Sequence, residues 1–102
     1  MNPRNEWSIA GNYDTVAFCI IDKFEAGTSM FTKMVALDFR NRTDRREATI
    51  QGSAKADRNF GIFELKTKQV SDGVTLVQLR GINDPSTTAA YKVVEECSIL
   101  RR

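Results

Sequence analysis

The chain contains no histidine and only two cysteines among its 102 residues. Without histidine, the Ser-His-Asp and Cys-His systems that activate a nucleophile are absent. Two cysteines also fall short of the four Cys or His ligands of an ordinary structural zinc site. No glycine-rich loop has the pattern that cradles phosphate before a helix. We therefore expect no enzyme activity, no metal and no cofactor. A catalytic Ser-Lys or Tyr-Lys pair that forms only when the chain folds is the one alternative left open.

Long apolar runs and a strong charge imbalance are also missing. No segment approaches 18 consecutive apolar residues, so we expect no membrane span. The net charge of +2 is too small to argue for nucleic acid or an anionic membrane as a partner. The most basic segment, residues 38–47, alternates arginines with acidic side chains, and we interpret it as a solvated hairpin end rather than a phosphate or RNA contact. Its arginines are Arg40, Arg42, Arg45 and Arg46.

The composition is that of one folded domain. Apolar residues make up 41% of the chain and charged residues 27%, which is typical of a soluble globular protein. We expect a single domain over residues 1–102, with residues 1–5 frayed. The polar start shows no export signal. We expect the periplasm or cell envelope if such a signal was removed, with a lipid anchor open for the precursor, and the cytoplasm otherwise.

The first elements are a short strand and an amphipathic helix. Residues 6–10 alternate and predict a strand, and residues 11–24 repeat apolar side chains at helical spacing. Asn12 or Asp14 is expected to cap the helix, and Gly27 to end it in the left-handed conformation. The predicted buried stripe of the helix comprises Tyr13, Val16, Cys19, Ile20, Lys23 and Phe24.

Four strands and a second helix follow. Residues 30–39, 47–52, 60–67 and 74–80 predict strands, with a bulge or close approach at Gly61 and a hairpin turn at Asp72-Gly73. Asp84 and Pro85 then begin a helix over residues 86–100. The predicted fold is α+β, in the order β-α-β-β-β-β-α, with a curved antiparallel sheet and two helices on one face.

Each cysteine lies on the apolar face of a predicted helix. Cys19 and Cys97 could form a disulfide that joins the two helices, or they could be two buried thiols that pack as small hydrophobes. We favour the bridge, since no third cysteine competes. Such a bridge would contribute about 4 kcal/mol in the chain-entropy model.

Several aromatic residues and methionines have two interpretations. Core packing is the first, because apolar stripes are usually filled. A small-ligand cavity between the sheet and the C-terminal helix is the second. The residues that would line such a pocket are Phe31, Met34, Phe60, Phe63 and Tyr91.

The pattern Trp7…Gly11-x-Tyr13-Asp14-x-Val16-Ala17-x-Cys19, with a late Cys97 in a C-terminal helix, covers most of the chain. It resembles a group of small, uncharacterised proteobacterial envelope proteins, often lipoproteins. The resemblance implies export, a disulfide between the two cysteines, and no established activity. The chain departs from the group in having no export signal or lipobox cysteine at its start.

The element order is also similar to that of TATA-box-binding-protein-like and helix-grip domains. Larger helix-grip relatives hold apolar ligands under the last helix, but this is fold analogy and transfers no function. We therefore expect a non-catalytic envelope protein that acts by contacts with another protein, as a monomer or weak dimer. The alternatives are a small apolar-ligand-binding domain and a cytosolic regulator or inhibitor from a phage or mobile element.

Overall fold

A computed structural model of the chain describes residues 5–27 and 29–100. Of the segment expected to be frayed, Asn5 begins the first strand, and residues 1–4 lie outside the described residues. The elements in chain order are β1 (Asn5–Ala10), α1 (Tyr13–Glu25), α2 (Met30–Lys33), β2 (Val35–Arg42), β3 (Glu47–Ala54), β4 (Gly61–Ser71), β5 (Val74–Gly81) and α3 (Pro85–Leu100).

The five strands form one open antiparallel sheet in the order β1-β5-β4-β3-β2. β2 to β5 are a meander of sequential neighbours, and β1 joins the far edge by pairing with β5. The predicted α+β fold, the order of elements along the chain and the meander of the four later strands are confirmed, with one short helix, α2, added between α1 and β2.

The core lies between one face of the sheet and the two long helices. Alternate strand residues point toward the helices and most of them are buried, whereas Trp7, Leu37 and Phe39 near the sheet edges are half-buried. Burying each large apolar side chain contributes about 1.5–3 kcal/mol relative to leaving it in water. The largest fully buried apolar side chains are Ile9, Val16, Ile20, Phe24, Ile50, Leu65, Val77, Leu79 and Val94.

A disulfide between Cys19 and Cys97 joins α1 to α3. The two Cα atoms are 6.1 Å apart, within the range that a disulfide spans without moving the backbone. Cys97 is fully buried and Cys19 is half-buried. The predicted bridge is therefore confirmed, and it fixes the two helices side by side over the sheet.

The strand predicted over residues 30–39 is wrong in its first half. The hydroxyl oxygen of Ser29 accepts a hydrogen bond from the backbone N–H of Phe31 at 3.0 Å, which caps the four-residue helix α2. β2 begins only at Val35. From there the predicted alternation holds, because Val35 is buried and Leu37 and Phe39 are half-buried.

The predictions for the ends of the first helix are confirmed only in part, because the side chain of Asp14 accepts from the backbone N–H of Thr15 in the first turn at 2.8 Å. Asn12 occupies the N-cap position of α1 but its side chain makes no capping hydrogen bond. Instead, the side-chain oxygen of Gln69 accepts from the backbone N–H of Tyr13 at 2.9 Å. At the other end Ala26 is the C-cap in a right-handed conformation, so the chain leaves α1 without a left-handed Gly27.

The remaining local predictions are confirmed. The side chain of Asp84 accepts from the backbone N–H of Ser86 at 2.8 Å, and Pro85 is the first residue of α3. Gly73 has a φ of 72° in the hairpin turn between β4 and β5. The register between β3 and β4 shifts next to Gly61, as expected for a bulge.

Candidate protein-interaction surface

Large exposed apolar side chains are concentrated at one end of the molecule, which we call the α2 end. It lies where β2 begins, β3 ends, β4 begins and β5 ends. The side chains are exposed by between 37% and 67% of their area. We define the α2-end patch as Met30, Phe31, Met34, Phe60 and Ile82.

Contacts with the rest of the fold hold α2 in place. The hydroxyl of Ser86, a buried residue at the start of α3, donates to the backbone carbonyl of Phe31 at 3.0 Å. The backbone N–H of Lys55 donates to the carbonyl of Met34 at 2.9 Å. A helix of four residues is not stable alone, because nucleation is unfavourable. These two bonds, together with the Ser29 cap, therefore fix the backbone that presents the patch.

A groove of about 470 Å³ lies between α2 and α3 and opens to solvent. Phe31, Pro85 and Ala89 supply its apolar surface, and Asp84 and Lys92 place opposite charges at its border. Its volume is within the range of small-molecule sites. The remaining lining residues are Ser29, Asn83 and Thr88.

The five residues predicted to line a ligand pocket lie in three different places. Phe31, Met34 and Phe60 are exposed by about half their area and belong to the α2-end patch. Phe63 is buried in the core, with its ring 5.5 Å from that of Phe24. Tyr91 lies over β1. The structure thus places three of them on the surface at the same end of the molecule.

Tyr91 is 38% exposed. Its ring centroid lies 5.1 Å from that of Trp7, which is half-buried. The indole N–H of Trp7 donates to a carboxylate oxygen of Glu95 at 2.6 Å. Glu95 therefore ties α3 to β1, and this pair stabilises the edge of the fold.

A basic corner occupies the outer face of the sheet, away from the helices. The strand register aligns Arg40 with Lys66 across Thr49, and Arg42 with Lys68 across Glu47. The sequence did not reveal that these two lysines join the arginines. Asp38 lies 3.9 Å from Arg40, and both side chains are more than half exposed. The mixed, solvated charges support the interpretation of a hydrated surface.

Within residues 5–27 and 29–100, no three metal-ligating side chains are grouped together. No helix in the same part of the chain is long and apolar enough to cross a membrane.

Neither a protein-family model nor a curated protein matches the sequence. The resemblance to small envelope proteins and the similarity to helix-grip domains therefore stay predictions. The function is therefore inferred from the exposed α2-end patch.

Proposed function

We propose that the chain is a non-catalytic domain of the bacterial cell envelope that binds another protein through the α2-end patch. The observation that carries this proposal is the clustering of five large exposed apolar side chains at one end of a small domain. Single exposed apolar residues are normal on protein surfaces, whereas several large ones gathered at one end of a small domain favour an interaction site.

The chemistry of the patch suits a protein partner. Phe31 and Phe60 are aromatic side chains of the kind that anchor interfaces. Met30 and Met34 are unbranched and polarizable, so they adapt to an irregular apolar surface. Because Ser86 and Lys55 already fix the backbone of α2, less conformational freedom is lost on binding.

The disulfide supports an envelope location. Stable disulfides form in oxidising compartments such as the bacterial periplasm and are rare in the cytosol. The resemblance to exported proteobacterial proteins points to the same compartment. If the chain is instead a cytosolic regulator, its two thiols should be free in the native host. Acid quenching of cells followed by alkylation and mass measurement distinguishes these states.

The patch is tested by replacing Phe31 and Met34 together with serine and comparing capture of the bound protein by cross-linking in the native envelope. We expect recovery of the partner to fall at least about tenfold, which corresponds to about 1.4 kcal/mol of binding free energy. Val70→Ser is the matched control, because Val70 is 54% exposed but lies at the opposite end of β4. Equal recovery with the double variant would refute the proposed surface.

The groove between α2 and α3 favours a second candidate, a small apolar ligand. Titration of the isotopically labelled protein with decanoate tests it by NMR. Saturable shifts confined to Phe31, Thr88 and Ala89 would favour a ligand-binding domain, since these residues line the groove. The absence of saturable shifts would leave protein contact as the function of this end.

A further inference from the structure

β2 is an edge strand with features that invite pairing. It is eight residues long, from Val35 to Arg42, and pairs with β3 on one side. No other strand of the described part of the chain lies on its other side. Natural edge strands are usually protected by proline, by a bulge, by charges that point inward or by charged side chains along the edge, which repel a second strand where like charges meet. β2 contains no proline, and its register with β3 is regular over all eight residues.

The two faces of β2 have different chemistry. Asp38 and Arg40 lie on the outer face, where both side chains are exposed and 3.9 Å apart. Leu37 and Phe39 face the helix side and are half-buried. Phe18 of α1, 48% exposed, lies with its ring 5.5 Å from that of Phe39. On the helix side of the sheet, the apolar surface of Leu37 and Phe39 therefore continues onto Phe18 of α1.

We propose that a second copy of this chain pairs with β2, antiparallel and about a twofold axis that passes through Phe39. The two sheets then become one ten-stranded sheet with both helical layers on the same side. In this register Asp38 of each copy lies directly opposite Arg40 of the other. Phe39 lies opposite Phe39 of the second copy, so their rings and those of Phe18 form one aromatic cluster.

The charges of β2 select this register among its neighbours. Centring the axis on Asp38 would place two carboxylates directly opposite each other. Centring it on Arg40 would pair Asp38 with Arg42 but would oppose two guanidinium groups at the axis and separate the two Phe39 rings. Like charges directly opposite destabilise a strand pair, whereas opposite charges and aromatic pairs stabilise it. Centring on Leu37 would place Asp38 opposite Ala36 and leave the charges unpaired. The axis through Phe39 gives two opposite-charge pairs and an aromatic pair together.

The self-complementarity of this edge is what favours a second copy over another occupant. A twofold interface requires that each surface match itself, and β2 does so in both charge and apolar content. A nucleic acid strand would need aromatic side chains on the outer face for base stacking. In the described strands, that face of β2 carries Ala36, Asp38, Arg40 and Arg42 instead.

The test is a charge exchange followed by sedimentation of the full chain over a range of concentrations. Asp38→Arg places an arginine opposite an arginine in both pairs, and Arg40→Asp places a carboxylate opposite a carboxylate. We therefore expect each variant to weaken the dimer about tenfold or more. An equimolar mixture of the two variants restores both opposite-charge pairs and should dimerise as the wild type does. Glu64→Arg and Arg80→Asp are the matched controls, because they make the same charge changes on the outer face of the central strands.

Several results would overturn this proposal. The first is a wild-type chain that stays monomeric up to about 1 mM, a concentration at which even a binding free energy of about −4 kcal/mol would be detected. The second is that the single variants dimerise as the wild type does. The third is that the mixture of the two variants does not dimerise. A dimer lost with the Phe31 and Met34 serine variant but kept with Asp38→Arg would place self-association at the α2-end patch and would also overturn it. Thermal melting of each variant verifies folding. Because the two surfaces are different, failure here leaves the proposed function untouched.

Discussion

Gly52 shows how one residue can be required by a contact that the sequence does not reveal. It is buried in β3 and pairs with Phe63 of β4. A Cβ atom at this position would lie within 3.0 Å of three ring carbons of Phe63. That ring cannot easily move away, because it is buried and packs against Phe24. The absence of a side chain at Gly52 therefore leaves room for the far end of the Phe63 ring.

Gly52→Ala should lower the free energy of unfolding by about 1–3 kcal/mol, the usual effect of overpacking a filled core. In a domain of this size, each kcal/mol corresponds to about 4–8 °C in melting temperature. Gly61→Ala is the control, because nothing lies within 4 Å of its Cβ position and its φ is not positive. Circular dichroism melts of both variants test the difference. Equal melting temperatures would show that the ring of Phe63 gives way without cost.

At the scale of elements, the beginning of α1 depends on a residue from a distant strand. Gln69 of β4 accepts from the backbone N–H of Tyr13, and its amide donates to the carbonyl of Ser71 at 2.7 Å. The same side chain thus satisfies a free donor of the helix and supports the hairpin end. Asn12, the residue in the N-cap position, makes no capping hydrogen bond with its side chain.

Gln69→Ala should therefore cost about 1 kcal/mol of stability, as the loss of a helix cap does. Asn12→Ala should change the stability by less than about 0.5 kcal/mol, the usual range for a surface substitution. Urea unfolding of the two variants measures both free energies. A larger loss for Asn12→Ala than for Gln69→Ala would mean that the conventional cap position governs this helix in solution.

These two elements show what could and could not be read from the sequence. The order of strands and the buried face of α3 follow from patterns of apolar residues and from local turn and cap signals such as Asp72-Gly73 and Asp84. The Gln69 cap could not be predicted, since it joins residues 56 positions apart. The alternation over residues 30–34 was misleading, although Ser29 was available as a cap signal for α2.

The same error hid the candidate site. Met30, Phe31 and Met34 were expected in a strand, where alternate side chains point into the core. Met30 and Phe31 in α2 and Met34 at its C-cap are all exposed instead. The clustering of the patch with Phe60 and Ile82 depends on the tertiary arrangement of strand ends, which no local pattern encodes. The disulfide, in contrast, could be anticipated, because two cysteines on apolar faces allow only one intramolecular pairing.

At the scale of the whole molecule, the disulfide between Cys19 and Cys97 closes a loop with a sequence separation of 78 residues that contains most of the sheet. In the chain-entropy model a loop of this length contributes about 4 kcal/mol, a large share of the 5–15 kcal/mol typical of a domain. Cys19→Ser should therefore lower the melting temperature by about 15 °C or more under oxidising conditions. Reduced wild-type protein serves as the control and should melt close to the variant, because both lack the bridge. If oxidised wild type and Cys19→Ser melted at the same temperature, the bridge would contribute no stability, and the main physical argument for an oxidising compartment would be lost.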